Sequence, residues 1–222
     1  MGTIAENVRS ILSGIPENVD VVAVAKGHTA PEIREAVEAG IRCIGENYLQ
    51  EARTVIPEVG SRVKWHFTGH VQKNKVKLIV PLFDLIQTLD SYELAVMIDE
   101  HARKHGKLMP VLVEVNSGKE PQKSGVMPRD VAALIEKIHA LEHISVQGLM
   151  TMGPFLDDPE KLRPYFRATK TLFDEIARMV IPGVEMRHLS MGMSDSYRIA
   201  IEEGATMVRI GTKLFGPRGY PR

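Results

Sequence analysis

The chain carries one cysteine in 222 residues. It can form no intrachain disulfide, which suits a reducing compartment. That residue, Cys43, sits in Ile41-Arg42-Cys43-Ile44-Gly45 and reads as a small buried hydrophobe. Neither sign of charge is in excess: 28 basic residues balance 28 acidic ones, for a formal net charge of +0. Bulk electrostatics therefore offers nothing to a nucleic acid or an anionic membrane. No apolar run is long enough to span a bilayer, and no charged-then-apolar leader opens the chain. The expectation is a cytoplasmic protein with no membrane partner. GxGxxG, P-loop and Ser/His/Asp patterns are all missing, as are Pro/Ser-rich linkers and low-complexity segments.

What remains is ordinary globular material, 44% hydrophobic and 25% charged, enough for one substantial core. Residues 3–13 read as a leading helix with Ile4, Val8, Ile11 and Leu12 on one face. Strand patterns follow at 21–26, 42–45, 63–69, 85–89, 110–115, 144–150, 185–190 and 207–211. Helical patterns lie between most of them, at 31–39, 91–105, 128–141, 159–180 and 195–203, several ended by glycine. Strand-then-helix units repeated in this way predict a parallel sheet with helices outside. Eight strands predict one domain over 1–222: a single (β/α)8 TIM-type barrel with an extra N-terminal helix. An open doubly wound sheet is the alternative.

In such a barrel the chemistry gathers where strands end. Lys26 closes the apolar run Val21-Val22-Ala23-Val24-Ala25. An ammonium pressed against apolar surface loses solvation, so its pKa is expected to fall. A neutral amine forms a Schiff base with an aldehyde; the plainer reading is a lysine that snorkels to water. Arg187 to Ser196 runs from a strand through Gly192 to a helix start rich in capping residues, Ser194, Asp195 and Ser196. Backbone amides and hydroxyls there could hold a phosphate, with Gly211-Thr212 supplying the other half; a helix cap with nothing bound is the competing reading. Arg209 alternates with Val208 and Ile210 and so points away from them. A buried arginine needs an acceptor. That is either a carboxylate such as Glu46 or Glu114, or a ligand ring nitrogen. His66 and His70 are four apart, a metal spacing only on a helix, and no ligand cluster accompanies them. His66 then reads as pocket lining. The turn-rich segment Asn116 to Gly125 has the length of a mobile lid.

Taken together, several segments resemble the pyridoxal phosphate homeostasis protein family, also called proline-synthetase-associated or alanine-racemase N-terminal-domain-like. They are Val24-Ala25-Lys26, Gly45-Glu46-Asn47-Tyr48-Leu49-Gln50-Glu51, Trp65 to Lys75, Leu189 to Ser194, and Val208-Arg209-Ile210-Gly211-Thr212 with Leu214-Phe215-Gly216. The resemblance spans nearly the whole chain. It implies pyridoxal 5′-phosphate held as an internal aldimine on Lys26. It puts the phosphate around Ser194, Gly211 and Thr212, Arg209 at the pyridine nitrogen, and Asn47 and His66 near the ring. Three positions depart from the family pattern. Ala25 stands where Ser is usual, Gly27 where Thr is usual, and His70 where Ile or Leu is usual, which bears on cofactor tuning.

An arginine at the pyridine nitrogen can only donate, so the ring stays neutral and drains electrons weakly. Racemisation also needs a second base. In alanine racemases that base is a tyrosine from an added β-domain, for which Tyr220, in a Pro/Gly-rich tail, is a poor substitute. The sequence thus predicts a non-catalytic protein serving vitamin B6 homeostasis or cofactor delivery, a monomer or weak homodimer. Its partners would be pyridoxal phosphate and the apo-enzymes that receive it. The alternatives are an amino-acid racemase of the alanine racemase type and a phosphosugar enzyme using Lys26 as a Schiff base.

Overall fold

The computed structural model describes residues 2–216. Eight parallel strands close into a barrel in sequence order, β1 pairing with β8. The strands are β1 (Asp20–Val24), β2 (Cys43–Glu46), β3 (Lys64–Phe67), β4 (Leu85–Leu89), β5 (Met109–Glu114), β6 (Ile144–Met150), β7 (Val184–Ser190) and β8 (Met207–Ile210). The helices are α1 (Ile4–Leu12), α2 (Ala30–Glu38), α3 (Leu49–Val59), α4 (Val76–Ile79), α5 (Tyr92–Lys104), α6 (Val131–Ile138), α7 (Arg163–Arg178), α8 (Tyr197–Glu202) and α9 (Thr212–Phe215). This is the expected (β/α)8 barrel with its leading helix; the open sheet is excluded by closure.

Each strand puts alternate residues on opposite faces. One set (Val21 and Ala23 of β1, Ile44 of β2, Trp65 and Phe67 of β3, Val208 and Ile210 of β8) belongs to the large apolar layer shared with the helices. The other set fills the barrel: Val22, Cys43 and Met207 in one cluster, Leu85, Leu112 and Met150 in another. Cys43 is therefore packing, and burial pushes its thiol far above the usual range. The lower barrel is lined by these apolar side chains. Its upper end, where the strands stop, holds the polar residues.

Local signals set the helix ends. Thr3 and Glu6 form a capping box on α1, whose Val8 and Ile11 are buried. Thr29 and Glu32 do the same for α2, with Pro31 in its first turn. The sequence reading did not include α3. Pro57 lies inside it and reads as a breaker, yet it falls in the last turn, where little of the helix remains to break. The buried Leu49, Ala52, Val55 and Val59 mark its packed face. The leucine and valines are worth about 1.5–3 kcal/mol each on full burial. The segment at 159–180 resolves into a 3-10 turn, Pro159–Leu162, followed by α7.

One wall residue is under electrostatic stress. Gly45 faces Val22 inside the barrel, its ideal Cβ lying 2.8 Å from Val22 Cγ1. Glu46 therefore turns outward with Ile44. It is fully buried, and neither carboxylate oxygen has a hydrogen-bond partner among the described residues. Burial, with the Glu51 charge adding to it, raises its pKa to about 8. Folding thus favours the protonated form. That contribution is complete below the unfolded pKa and is lost as pH rises through about 8. Glu46→Gln should remove this dependence. Between pH 5 and pH 8 the variant should gain about 3 kcal/mol of unfolding free energy relative to the unchanged protein. Parallel denaturation curves across that range would contradict a protonated Glu46.

Candidate functional site

The polar end of the barrel is organised by Arg209. It is 4% exposed and faces inward with Met207. Both N–H groups of Nη1 are taken, one by Ser190 O at 2.9 Å and one by Ser190 Oγ at 2.8 Å. Nη2 donates to Thr151 O at 2.9 Å. The Nε–H and the second N–H of Nη2 have no partner among the described residues, so two donors remain for a ligand acceptor. The carboxylate pairing considered from sequence is not formed. Glu46 lies on the other face of the wall, and Glu114 acts on Arg209 through its field rather than a bond. Burial draws the guanidinium down to about 10, against the opposing pull of Glu114. It stays charged at neutral pH.

Glu114 shares the inward face of β5 with Leu112. Burial raises its pKa to about 7, Asp90 adds to the rise and Arg209 opposes it. A near-neutral carboxyl inside the barrel is a feature the sequence reading treated only as a candidate partner for Arg209. Nothing in its local sequence marks it out; burial alone does.

His66 also points inward, opposite to the outer-layer Trp65 and Phe67. Its Nδ1 lies 3.0 Å from Gln87 Nε2, and Gln87 Oε1 accepts from Ser190 Oγ at 2.7 Å. One hydrogen-bonded chain therefore joins β8, β7, β4 and β3. The sequence reading missed Gln87 and Ser190 as members of it. Glutamine in an apolar strand (Leu85-Ile86-Gln87-Thr88-Leu89) was the available signal, because a fully buried amide must be bonded. Burial, and to a smaller degree the field of His188, lowers the His66 pKa to about 4.

Lys26 lies two residues past β1 and is half-buried. Ala25 N–H donates to Gly45 O at 2.9 Å, which ties this strand end to β2. Gly27 follows with φ 78° and gives its N–H to Glu51 at 2.7 Å. A β-branched threonine, usual in the resembled family, would be strained in that conformation. The phosphate-type residues stand on the other side of β1. Val24 O lies 3.2 Å from an ideal Cβ on Gly211. Ser194 Oγ accepts from the Gly211 and Lys213 amides at 3.4 Å each, and Thr212 begins α9 between them. The Ser194 and Thr212 hydroxyls and the Gly211 and Lys213 amides gather here in a set suited to an oxyanion, the amides now given to Ser194 Oγ, while Lys213 Nζ lies 3.7 Å from Asp195 and over the Tyr197 ring.

Asn47 is held at the end of β2. Its Oδ1 accepts from Thr68 Oγ1 at 2.9 Å. Gly69 permits the approach, since a Cβ there would meet Asn47 O at 2.1 Å. Asn47 also borders a cavity of about 510 Å³ lined by Tyr48, Phe67, His70 and Lys75. Lys26, Arg209 and Ser194 do not line that cavity. The convergent donors, rather than the larger void, define the site. His70 sits on the rim, 3.4 Å from Ser124 and 3.8 Å from Asp90. The Asn116–Gly125 segment is folded on itself by its first residue. Asn116 Nδ2 donates to Glu120 O and Lys123 O, and its Oδ1 accepts from Glu120 N. Among the described residues no group of three or more His, Cys, Asp and Glu gathers as for a metal, and no helix is long and apolar enough to cross a membrane. Tyr220 lies outside the described residues.

A family model for the alanine racemase N-terminal domain matches residues 1–219. A pyridoxal phosphate homeostasis protein of Aquifex aeolicus (strain VF5) is 43% identical over 210 residues, 94% of this chain and 91% of the relative. One from Bos taurus is 38% identical, over 91% of this chain and 78% of its own. Among solved structures, PipY of Synechococcus elongatus PCC7942 with pyridoxal phosphate bound superposes with a TM-score of 0.88 at 34% identity. That match covers 96% of this chain and 100% of PipY. Alanine racemase of Clostridium difficile 630 shares the fold, at TM-score 0.82 and 21% identity, over 99% of this chain and 57% of that one.

The environment of His66 makes one direct prediction. Its ring nitrogens, followed by NMR from pH 8 to pH 5, should keep the shifts of a neutral imidazole. A midpoint near 6.5 would mean that the ring is not buried in this network.

Proposed function

The chain belongs to the alanine racemase N-terminal domain family, with the pyridoxal phosphate homeostasis proteins as its relatives, and from that premise we propose that it binds pyridoxal 5′-phosphate reversibly and serves vitamin B6 homeostasis or cofactor delivery. The observation that carries this reading is the pair of Arg209 N–H groups left without a partner among the described residues, together with the phosphate-type residues grouped at the end of β8. Arg209 keeps two N–H groups for an aromatic ring nitrogen, and Ser194, Gly211, Thr212 and Lys213 surround a place for a phosphate. Both halves of the cofactor thus meet groups of the right sense.

When bound, pyridoxal phosphate supplies an aldehyde that amines capture reversibly and a ring that can withdraw electrons. The chain's own residues decide how far that chemistry goes. Lys26, at the strand end beside the phosphate cradle, is the residue proposed to hold the aldehyde carbon covalently. Arg209 donates to the ring nitrogen and cannot pass its proton on. The ring then stays neutral, and deprotonated substrates gain little stabilisation. His66 and Asn47 border the ring. Neutral His66 accepts a bond at Nδ1 and so serves poorly as a base. The whole chain, 1–222, is proposed to work as one cytoplasmic unit, a monomer or weak homodimer, passing the cofactor to apo-enzymes rather than turning over a substrate.

One observation favours a second reading, an amino-acid racemase. Glu114 is inside the barrel with a pKa of about 7, which suits proton transfer near neutral pH. Turnover assays with both alanine enantiomers and other amino acids separate the two. The carrier reading predicts less than about one turnover per second, the low end of ordinary enzyme rates. Faster racemisation that Glu114→Gln abolishes would establish the enzyme instead.

The primary reading is tested at Lys26. The purified protein with added pyridoxal phosphate should show a visible absorption band, and borohydride should fix the label on Lys26. Lys26→Ala should lose both. A band of equal strength in that variant would overturn the assignment.

A further inference from the structure

Gln87 lies in β4 with no exposed surface, and every hydrogen-bonding group of its amide is engaged. Oε1 accepts from Ser190 Oγ at 2.7 Å, and Nε2 faces His66 Nδ1 at 3.0 Å and Met207 Sδ at 3.2 Å. Arg209 fixes the direction of each bond. A guanidinium can only donate, so Ser190 Oγ accepts at 2.8 Å and keeps its own proton to give away. That proton goes to Gln87 Oε1. The amide nitrogen must then face His66. Since it donates, Nδ1 of His66 must accept, and the ring proton resides on Nε2. Reversing the amide would set its oxygen against the Met207 sulfur and leave the Ser190 proton without an acceptor among the described residues. In a buried setting each such loss leaves a polar group desolvated without a partner and is destabilising.

We propose that Gln87 is a positioning residue that carries the donor sense of Arg209 across the barrel to His66, fixing the His66 proton on Nε2 so that both residues meet the bound cofactor as donors. The last step rests on the pyridoxal phosphate reading; the bond order does not. The four side chains come from four strands: β8, β7, β4 and β3. The barrel wall therefore holds them at fixed separations, and a change at one end should be felt at the other.

The experiment uses nitrogen NMR of the cofactor-free, full-length protein with labelled histidine. In the unchanged protein His66 should be the Nε2–H tautomer. A proton on Nδ1 overturns the proposal without any variant. Gln87→Leu should convert His66 to a mixture of tautomers. Ser190→Ala, which touches no atom of His66, should do the same, but should have no further effect at His66 once residue 87 is leucine. An Nε2–H tautomer undisturbed in both variants would show that Gln87 merely fills space. Gln87→Leu should also weaken pyridoxal phosphate binding about tenfold, the order seen when an outer partner of a binding group is lost. Altered tautomers with unchanged affinity would refute the link to the cofactor. A wild-type protein that binds no pyridoxal phosphate, yet shows the Nε2–H tautomer and its coupling, would refute the cofactor reading alone.

Discussion

A cation that stays charged at neutral pH is buried at the polar end of this barrel, and the polar architecture is arranged around it. Removing a guanidinium from water costs several kcal/mol unless its donors are met. Here the compensation comes from neutral groups, Ser190 and Thr151, and from the more distant charge of Glu114. A full ion pair would have closed the site. Backbone carbonyls hold the guanidinium while leaving two of its N–H groups to meet something else. Thr151 is itself fixed, donating to Val115 O at 2.9 Å with Ser117 Oγ at 2.8 Å. The cation is thus anchored to β6 and β7 while belonging to β8.

That constraint spreads. Every bond from Arg209 to His66 has its direction set by the first donor, so the interior offers donors at both ends of the chain and no strong base along it. The exceptions are two carboxyls whose pKa burial raises, Glu46 to about 8 and Glu114 to about 7. Glu46 is sealed in the wall, and Glu114 is near the mouth. A site rich in donors and poor in bases suits holding an acceptor-rich ligand such as pyridoxal phosphate better than removing protons from a substrate, which is why the proposed role is custody of the cofactor rather than catalysis with it.

Much of this was legible in the sequence, for identifiable reasons. Buried parallel strands tend to continuous apolar runs, and one appears at 21–25; the segments at 85–89 and 144–150 are apolar at alternate positions or at their ends and were read as strands all the same. Strand alternation turned Arg209 inward correctly, because Val208 and Ile210 are plainly outer-layer residues. The failures have physical causes too. Helix α3 went unread, and Pro57, a residue that argues against a helix in any local window, sits harmlessly in its last turn. Gln87 and Ser190 were invisible as partners because they are 103 residues apart and meet only when the barrel closes. Glu46 and Glu114 looked equivalent as candidates for Arg209. One residue of strand parity separates the wall from the lumen, and the pKa of each follows from burial that no sequence window reports.

If Arg209 governs the site as argued, the decisive quantity is the protonation of the cofactor's ring nitrogen. Nitrogen NMR of the protein loaded with pyridoxal phosphate labelled at that atom reads it directly. The account predicts an unprotonated pyridine nitrogen that accepts a hydrogen bond and stays so at neutral pH. A protonated pyridinium would contradict it, because an arginine that only donates cannot stabilise that state.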